Sequence, residues 1–324
     1  MEADIRKDTY RLLFPKEFQW LYELTWQMSK EIYEIRIRCA APICVETGTG
    51  RYYAGTGQVL VKNMQNLRNV SMKEVQLWIQ HLCRYSLYAF REELIQGFFT
   101  VCGGHRIGVV GQVVWGENGV ENLKYISGIN IRIAHEIIGC ARDLLPKLFD
   151  KNRLCSTLII SPPMCGKTTL LRDLIRCISD GEYCNNPLKV GVIDERGEIA
   201  ACYMGEAQHH IGIHTDVYTN CNKTDGFLRL LRSMSPQVIA MDELGEDAEI
   251  HMIEKAFFMG CSIIASAHAN GIEAVLNRPL LLSLFCRNKF ERVVVLDENC
   301  CFKKEVFTLQ DLSGLNNSEG CNVS

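Results

Sequence analysis

Long apolar runs, paired cysteines and an excess of basic charge are all missing from this sequence. No apolar stretch reaches the ~18 residues that a membrane-spanning helix needs, so we expect no membrane span. Of the 16 cysteines, none forms a Cys-x-x-Cys pair, and only Cys300 and Cys301 are adjacent. This spacing disfavours a zinc site, and the lack of a secretory signal disfavours a disulfide framework. We expect mostly buried, reduced thiols and therefore a reducing cytoplasm.

The charge balance disfavours one class of partner. The formal net charge is −3, and no basic stretch with interleaved aromatic residues is present, so we expect no nucleic acid partner. The chain has 324 residues, of which 47% are apolar and 23% charged, as in soluble globular proteins. This length suits two domains of ordinary size.

The first 140 residues show both helical and strand patterns. Apolar residues recur at helical spacing over residues 5–26, and Ser71 with Glu74 forms a capping-box pattern that begins a predicted helix over 71–88. Alternating apolar residues and turn signals, including a hairpin signal at 117–119, predict strands over 34–38, 43–46, 98–102, 107–115 and 128–134. We therefore expect an N-terminal α+β domain with an antiparallel sheet over residues 1–140.

Strands and helices alternate over residues 141–311. Strands are predicted at 157–160, 189–194, 237–242, 262–267 and 292–296, with helices between them. The alternation predicts an α/β fold with a parallel sheet covered on both faces, in which ligands bind at the carboxyl ends of the strands. The remaining residues, 312–324, form a polar tail that we expect to fray.

A phosphate-binding loop is predicted between the first of these strands and its helix. Apolar residues 158–160 precede Gly166, Lys167 and Thr168, and an amphipathic run follows. In a P-loop nucleotide hydrolase, backbone N–H groups surround the phosphates, the lysine contacts the β- and γ-phosphates, and the hydroxyl binds Mg²⁺. Ser161 stands where the pattern has its first glycine, and serine is small enough for that position. We expect ATP and Mg²⁺ here, with the nucleotide bound by Ser161, Pro162, Pro163, Met164, Cys165, Gly166, Lys167, Thr168 and Thr169.

Two acidic residues end another apolar strand. Asp242 and Glu243 directly follow the apolar residues 238–241. We expect Asp242 to hold Mg²⁺, through water, and Glu243 to orient the attacking water, because this reaction needs alignment more than a strong base. The alternative is a solvated turn, which is disfavoured because the same sheet carries the phosphate-binding loop.

Other polar residues are weaker candidates. Residues 194–198 contain three acids and an arginine and form either a solvated turn or a site in which Glu195 acts on the water or the metal. His268 ends a strand and is a candidate sensor of the γ-phosphate, although a lone histidine is usually structural. A polar loop carries His209, His210 and His214, with no carboxylate or cysteine partner at metal-site spacing.

Four arginines are candidates for contact with a nucleotide phosphate. Arg229 and Arg232 fall on one face of a predicted helix, whereas Arg106 and Arg132 belong to the first domain. Taken singly, each is better interpreted as a surface arginine. The alternative is that one of them reaches the nucleotide, within its own subunit or across a subunit boundary.

Several of these segments together resemble one known family. The phosphate-binding loop and residues 85–90, 103–108, 194–200, 215–217, 228–245 and 266–270 resemble stage III sporulation protein AA of endospore-forming bacteria, over nearly the whole chain. That family is similar to the traffic ATPases of secretion systems and type IV pili. The resemblance implies an N-terminal α+β domain, a RecA-like P-loop ATPase motor domain and a homo-oligomer that is a hexameric ring.

The resemblance also implies a cellular role and roles for single residues. The family implies a mother-cell ATPase, peripheral at the membrane around the forespore, that energises or assembles a channel of membrane proteins between the two cells. Lys167 and Thr168 fall on the phosphate and Mg²⁺ positions, and Asp242 and Glu243 fall on the second acidic motif. His268 lies at the histidine box, and 194–198 lies at the aspartate box. Ser161 and Glu246 depart from the family pattern. Glu246 stands where an arginine is expected, which puts a trans-acting role for that position in doubt.

Two other functions compete with this ATPase. One is a nucleic-acid-stimulated ATPase of the recombinase or helicase type, which the acidic charge balance disfavours. The other is a nucleotide-gated scaffold that binds ATP with little turnover, which Glu243 disfavours. For the ATPase we expect an arginine from a neighbouring subunit, with Arg106 or Arg132 favoured by the family resemblance.

Overall fold

The computed structural model describes residues 2–63, 65–117, 119–163, 165–183, 185–245, 248–276, 290–296, 304–308 and 311. The chain divides into two compact units, and each is described by itself. The first unit contains Met1–His135 together with Ala201–Gln208, and the second contains Glu136–Ala200 and His209–Ser324. The polar tail expected at 312–324 lies outside the described residues.

The first unit is built on an antiparallel sheet. Its helices are α1 (Glu2–Arg11), α2 (Gln19–Trp26), α3 (Met72–Leu82) and α4 (Arg91–Gln96). Its strands are β1 (Ile32–Arg38), β2 (Cys44–Thr47), β3 (Gly50–Gly55), β4 (Val59–Val61), β5 (Phe98–Val101), β6 (His105–Gly116) and β7 (Gly119–Arg132). The strand order is β4-β3-β2-β1-β7-β6-β5. Every described pairing in this sheet is antiparallel, as predicted.

Two predicted helices of this unit are wrong in extent. The helix expected over 5–26 is interrupted, because Pro15 lacks the N–H that a continuous helix needs, and a 3₁₀ turn, Lys16–Phe18, separates α1 from α2. The helix expected over 71–88 ends at Leu82, and Arg84 and Tyr85 adopt positive φ angles of 48° and 61°. The capping box is confirmed, since Ser71 Oγ accepts a hydrogen bond from Glu74 N and Ser71 N donates to Glu74 Oε2.

Alternation along the strands of the first unit produces its apolar core. Ile35 pairs with Ile131 and Ile37 pairs with Ile129 across β1 and β7, and all four side chains are buried. The core is completed by aromatic residues, with the Trp78 ring centred 5.8 Å from Phe14 and 5.1 Å from Phe18. Each fully buried side chain of this size contributes about 1.5–3 kcal/mol to folding.

Over its described residues, the second unit is an α/β structure built on a seven-stranded sheet. Its helices are α5 (Leu145–Leu148), α6 (Lys167–Ser179), α7 (Lys223–Ser233), α8 (Ala248–Phe258) and α9 (Gly271–Leu276). A short ribbon, β8 (Phe149–Asp150) with β9 (Arg153–Leu154), precedes the main sheet. The strands of the main sheet are β10 (Thr157–Ser161), β11 (Val190–Asp194), β12 (Thr215–Thr219), β13 (Val238–Met241), β14 (Ser262–His268), β15 (Arg292–Leu296) and β16 (Lys304–Thr308).

The strand order of the main sheet is β12-β11-β13-β14-β10-β15-β16. Its described pairings are parallel except the one between β15 and β16, which is antiparallel. The five predicted strands are present, and β10, β11 and β13 are buried at every position, which explains their uninterrupted apolar runs. The edge strands β12 and β16 were missed because their sequences contain no such run.

Two compositional predictions can be compared with the described residues. None of the helices among them is both long and apolar enough to cross a membrane. The described cysteines are free thiols, and each is buried or partly buried. Burial raises the pKa of the Cys83 and Cys177 thiols to about 12, which keeps them protonated and unreactive.

Candidate functional site

Strand order brings four strand ends together at one edge of the second unit. In the sheet, β11, β13, β14 and β10 are consecutive neighbours, and Ser161 at the end of β10 is in register with His268 at the end of β14. Asp194 ends β11, and Asp242 directly follows β13. The candidate residues that lie far apart in sequence therefore share the carboxyl edge of this sheet, where ligands of parallel sheets bind.

The loop between β10 and α6 has the shape of an anion-binding loop. Gly166 adopts a positive φ of 82°, and among the described residues beyond its immediate neighbours in the chain none has an atom within 4 Å of the position that a Cβ would take there. Helix α6 begins at the next residue, so its first N–H groups and its positive dipole end face this loop. Ser161 is buried, and its hydroxyl donates to Pro162 O at 2.7 Å. Serine thus fits the first position of the loop, whereas Met164 lies outside the described residues.

Lys167 is buried and folded back onto this loop. Its Nζ lies 3.2 Å from Ser161 O, 3.1 Å from Pro162 O and 2.9 Å from His268 Nδ1. Burial holds the pKa of this ammonium below its ordinary value, against the attraction of Asp242. These partners include carbonyl groups and a ring nitrogen. An anionic phosphate would attract the Lys167 ammonium more strongly than they do.

The Thr168 hydroxyl donates to Asp242 Oδ2 at 2.6 Å. The other oxygen of this carboxylate, Oδ1, accepts from Ser266 Oγ and, at 3.1 Å, from Glu243 N. Ser266 is fully buried in β14 and also accepts a hydrogen bond from Glu243 N at 3.0 Å. Mg²⁺ prefers oxygen ligands and takes only one or two carboxylates from a protein. The adjacent hydroxyl and carboxylate therefore fit a Mg²⁺ site.

Glu243 lies between a histidine and an arginine. Its backbone has a φ of 54°, a sterically costly conformation for a residue with a side chain. Carboxylate oxygen Oε1 lies 3.1 Å from His268 Nε2, and Oε2 lies 2.5 Å from Arg196 Nη1. A neutral His268 ring with its proton on Nε2 satisfies both Glu243 and Lys167. The chain of contacts therefore runs from Lys167 through His268 and Glu243 to Arg196.

The Asp194 side chain holds the turn that follows β11. Its oxygens accept hydrogen bonds from Glu198 N, Ile199 N and Ala200 N at 2.8–3.1 Å. Burial raises the pKa of this carboxyl, although the backbone N–H groups lower it. The turn is also held by Arg172 of α6, which donates to Ile199 O at 2.7 Å. Glu195, Arg196 and Glu198 line a cleft together with Asp194, Asp242 and Glu243.

Sequence reasoning missed Lys223, the first residue of α7. Its Nζ contacts Glu243 O at 2.9 Å, Glu195 Oε2 at 3.3 Å and Glu249 Oε1 at 2.8 Å. Burial lowers the pKa of this ammonium, but the ion pairs with Glu249 and Glu195 outweigh burial and raise it. Lys223 thus holds the backbone of Glu243 and the side chain of Glu195. No motif marks this lysine, because its three partners are distant in sequence.

The remaining candidates lie elsewhere. Glu136 receives a hydrogen bond from His210 N at 2.6 Å and lies 2.8 Å from His210 Nδ1, so this loop does have a carboxylate partner. Even so, no group of three metal-ligating side chains occurs among the residues that the structure describes. Arg106 stacks on Phe98 at 3.7 Å in the first unit. Arg229 and Arg232 are exposed on α7, and Arg132 is exposed on β7.

Comparison with known proteins identifies the family. The family described as "Sporulation stage III, protein AA" matches residues 3–313 of this chain. Stage III sporulation protein AA of Bacillus subtilis (strain 168) is 39% identical over 279 residues, which cover 85% of this chain and 86% of that protein. The chain belongs to the stage III sporulation protein AA family. The predicted resemblance is therefore confirmed.

Solved structures show that this sporulation family member shares its fold with an ATPase and with a pilus motor. The Legionella pneumophila ATPase DotB has a TM-score of 0.55 at 17% identity, with 95% of this chain and 85% of that chain covered. The pilus retraction motor PilT, solved with bound ADP, has a TM-score of 0.58 at 15% identity, with 94% and 90% covered. The predicted fold class, a RecA-like P-loop ATPase domain with an N-terminal α+β domain, is confirmed.

Proposed function

We propose that this stage III sporulation protein AA family member hydrolyses ATP to ADP and phosphate with Mg²⁺. The observation that carries the proposal is the cluster at the carboxyl edge of the main sheet. There the Thr168 hydroxyl lies 2.6 Å from Asp242, the side chain of Lys167 at the start of α6 folds back onto the preceding loop, and Glu243 lies beside Asp242 at the cleft. This arrangement supports the assignment of a phosphate-binding loop, a metal site and a water-orienting carboxylate.

Each residue of the cluster has one proposed role. The loop residues 161–169 and the start of α6 bind the phosphates, and Lys167 exchanges its loop carbonyls and His268 for the β- and γ-phosphates. Thr168 and Asp242 hold Mg²⁺, which when bound neutralises phosphate charge. When Lys167 moves to the phosphates, His268 loses its contact with Lys167, and its contact with Glu243 transmits this change to the water-orienting carboxylate. Glu195 orders the cleft through its ion pair with Lys223.

The reaction is an in-line attack by water. The water oxygen bonds to the γ-phosphorus, and the bond from that phosphorus to the bridging oxygen breaks, leaving its electron pair on ADP. One water proton passes to Glu243 and from there to solvent. The main role of Glu243 is to orient the water, because the reaction has a loose transition state that needs little base strength.

The cellular role is proposed from the family and the fold. We propose that the protein assembles into a homo-oligomeric, hexameric ring in the mother cell, at the membrane around the forespore. There it energises or assembles a channel made of membrane proteins. The sporulation family and the fold shared with the ATPase DotB and the pilus motor PilT support this role.

Replacing Glu243 by glutamine tests the proposal. Glu243→Gln preserves the size of the side chain and removes its charge, so turnover should fall by ~10²-fold or more, the scale for a positioned base. ATP affinity should stay near wild type, whereas Lys167→Ala should abolish binding. Equal turnover in wild type and Glu243→Gln would contradict hydrolysis at this site. Normal sporulation by cells in which this variant has no turnover would instead favour the nucleotide-gated scaffold.

A further inference from the structure

We propose that Arg196 is the arginine that neutralises the transferred phosphoryl group within its own chain, and that it holds Glu243 until nucleotide arrives. This inference rests on the proposed ATP hydrolysis. Arg196 Nη1 lies 2.5 Å from Glu243 Oε2, and both residues line the cleft with Asp242. The guanidinium therefore contacts the carboxylate that is proposed to orient the attacking water.

The backbone around Arg196 is firmly held, whereas its side chain is largely exposed and pairs with Glu243. On one side of the turn, Asp194 accepts the N–H groups of residues 198–200, and Arg172 donates to Ile199 O. Gly197, which follows Arg196, closes the turn with a φ of 65°. In contrast, 61% of the Arg196 side chain is exposed. A fixed backbone with a solvent-exposed guanidinium allows the side chain to change partners without movement of the fold.

Other cations that the structure describes near the cleft are committed to structural partners. Lys223 bridges two carboxylates and a backbone carbonyl, and Arg172 is buried against backbone carbonyls. Lys167 already serves the phosphate-binding loop. Arg196 differs because its partner in the structure, Glu243, is the carboxylate proposed to orient water. An incoming phosphate competes well for a guanidinium, since arginine and phosphate form short, bidentate hydrogen bonds.

In the structure each carboxylate oxygen of Glu243 already has a partner that competes with the attacking water. Oε1 faces His268 and Oε2 faces Arg196, so both oxygens are engaged. When Lys167 and Arg196 move to the γ-phosphate, one contact to Glu243 is lost directly and the other is weakened through His268. The bond between phosphorus and the bridging oxygen then breaks while negative charge on the γ-phosphoryl oxygens is balanced by Arg196. Only ATP draws Arg196 away from Glu243, because ADP has no γ-phosphate for the guanidinium to contact.

Arg196→Ala tests this role in the full chain, with turnover, ATP affinity and ADP–aluminium fluoride binding measured together. We expect turnover to fall ~10³-fold, as when a phosphate-neutralising arginine is removed, with ATP affinity near wild type. Binding of Mg²⁺, ADP and aluminium fluoride, which mimics the transferring phosphoryl group, should be lost. Arg196→Lys should recover part of the turnover, since lysine keeps the charge but loses bidentate geometry.

Arg51→Ala is the matched control. Its side chain is 62% exposed and pairs with Glu46 at 3.1 Å, so it resembles Arg196 in exposure and in its carboxylate partner but lies in the first unit. We expect wild-type turnover from this variant. Unchanged or faster turnover in Arg196→Ala would overturn the role of Arg196. Absence of turnover in the wild-type chain would instead overturn the proposed function itself.

Mixing experiments distinguish action within a chain from action across a subunit boundary. Chains with Arg196→Ala are mixed with Lys167→Ala chains, which lack ATP binding but carry an intact Arg196. We expect no turnover above the sum of the two parents, because each site needs its own arginine. Recovery of turnover would show that Arg196 serves a neighbouring chain and would overturn the inference. The same mixture with Arg106→Ala or Arg132→Ala tests the arginines predicted from the sequence.

Discussion

In the first unit, the buried polar side chains are Thr25, Ser29, Thr47 and His105, whereas the second unit also buries lysine, arginine, aspartate and glutamate. The buried charged residues that the structure describes are Lys167, Arg172, Asp173, Arg176, Asp194 and Glu249. All of them belong to the second unit. A buried charge is costly unless it is paired and hydrogen-bonded, so this unequal distribution needs a cause.

We attribute this unequal distribution to the candidate site, because buried charged side chains hold the backbone segments around it in place. These buried charges hold segments next to the cleft or next to α6. Asp194 and Arg172 hold the turn that carries Arg196, and Asp173 accepts from Gly139 N and Ala141 N at 3.0 and 2.7 Å. The first unit needs only a packed interior, which apolar and aromatic side chains supply. Buried charge thus marks the part of this chain in which single atoms must be positioned.

Removing Lys223 should produce the largest loss of stability. Lys223→Met leaves Glu249, which is buried, without the ammonium 2.8 Å away. Breaking a buried pair from one side costs about 3–5 kcal/mol, because the remaining carboxylate loses the opposite charge that offsets its burial. We expect that loss in the free energy of unfolding measured with urea. Turnover should fall as well, because Lys223 also holds Glu243 O.

Two variants control this prediction. Lys223→Arg keeps the positive charge and should recover most of the stability. Lys73→Met removes an exposed lysine from α3 of the first unit and should change the unfolding free energy by less than about 0.5 kcal/mol. If Lys223→Met cost no more than Lys73→Met, buried charge would not distinguish the two units energetically.

A smaller, pH-dependent effect is expected at Glu182. Hydrogen bonds from Arg142 and Arg176 lower the pKa of this carboxyl to about 2. A carboxyl whose folded pKa lies below its unfolded value stabilises the protein above the unfolded pKa and loses that effect as pH falls. Glu182→Gln should therefore cost about 1.5–3 kcal/mol at neutral pH, the scale of hydrogen bonds to a charged group.

The pH dependence is what identifies the carboxylate as the cause. The difference in unfolding free energy between wild type and Glu182→Gln should shrink as pH falls from about 4.5 towards 2. Glu17→Gln, which changes an exposed glutamate of the first unit, serves as the control and should show no such trend. A difference that stayed constant with pH would assign the effect to packing instead of charge.

The same comparison explains how far the sequence predicted the molecule. Buried strands such as β10 and β13 have uninterrupted apolar runs, so their ends, and with them Ser161 and Asp242, could be located from the sequence. Edge strands carry no such signal, so β12 and β16 were missed. The interruption at Pro15 was overlooked because apolar residues continue at helical spacing on both sides of it.

Contacts between side chains were harder to predict. The pairing of Arg196 with Glu243 and the three partners of Lys223 depend on the sheet order and on rotamers, and neither follows from a local pattern. The segment Ala201–Gln208 gave no sign that it belongs to the first unit, where Gln208 Oε1 accepts from Gly103 N at 2.8 Å. The sequence thus located the candidate residues but not the ion pairs that hold them.

The smallest effect is expected from one methyl group removed from each core. Ile35 in β1 and Ile239 in β13 are both fully buried, so Ile35→Val and Ile239→Val create similar cavities in the first and second units. Each should lower the free energy of unfolding of its own unit by about 0.5–1.5 kcal/mol, measured by native-state hydrogen exchange. The two differ in what lies nearby, because Ile239 lies in β13, the strand that Asp242 of the candidate site directly follows. Turnover should therefore fall in Ile239→Val, by much less than the ~10²-fold that an ångström of misplacement costs, and stay at the wild-type rate in Ile35→Val.

Equal effects of the two substitutions on turnover would show that packing in the first unit matters to the site as much as packing in the second, and the division drawn from buried charge would fail.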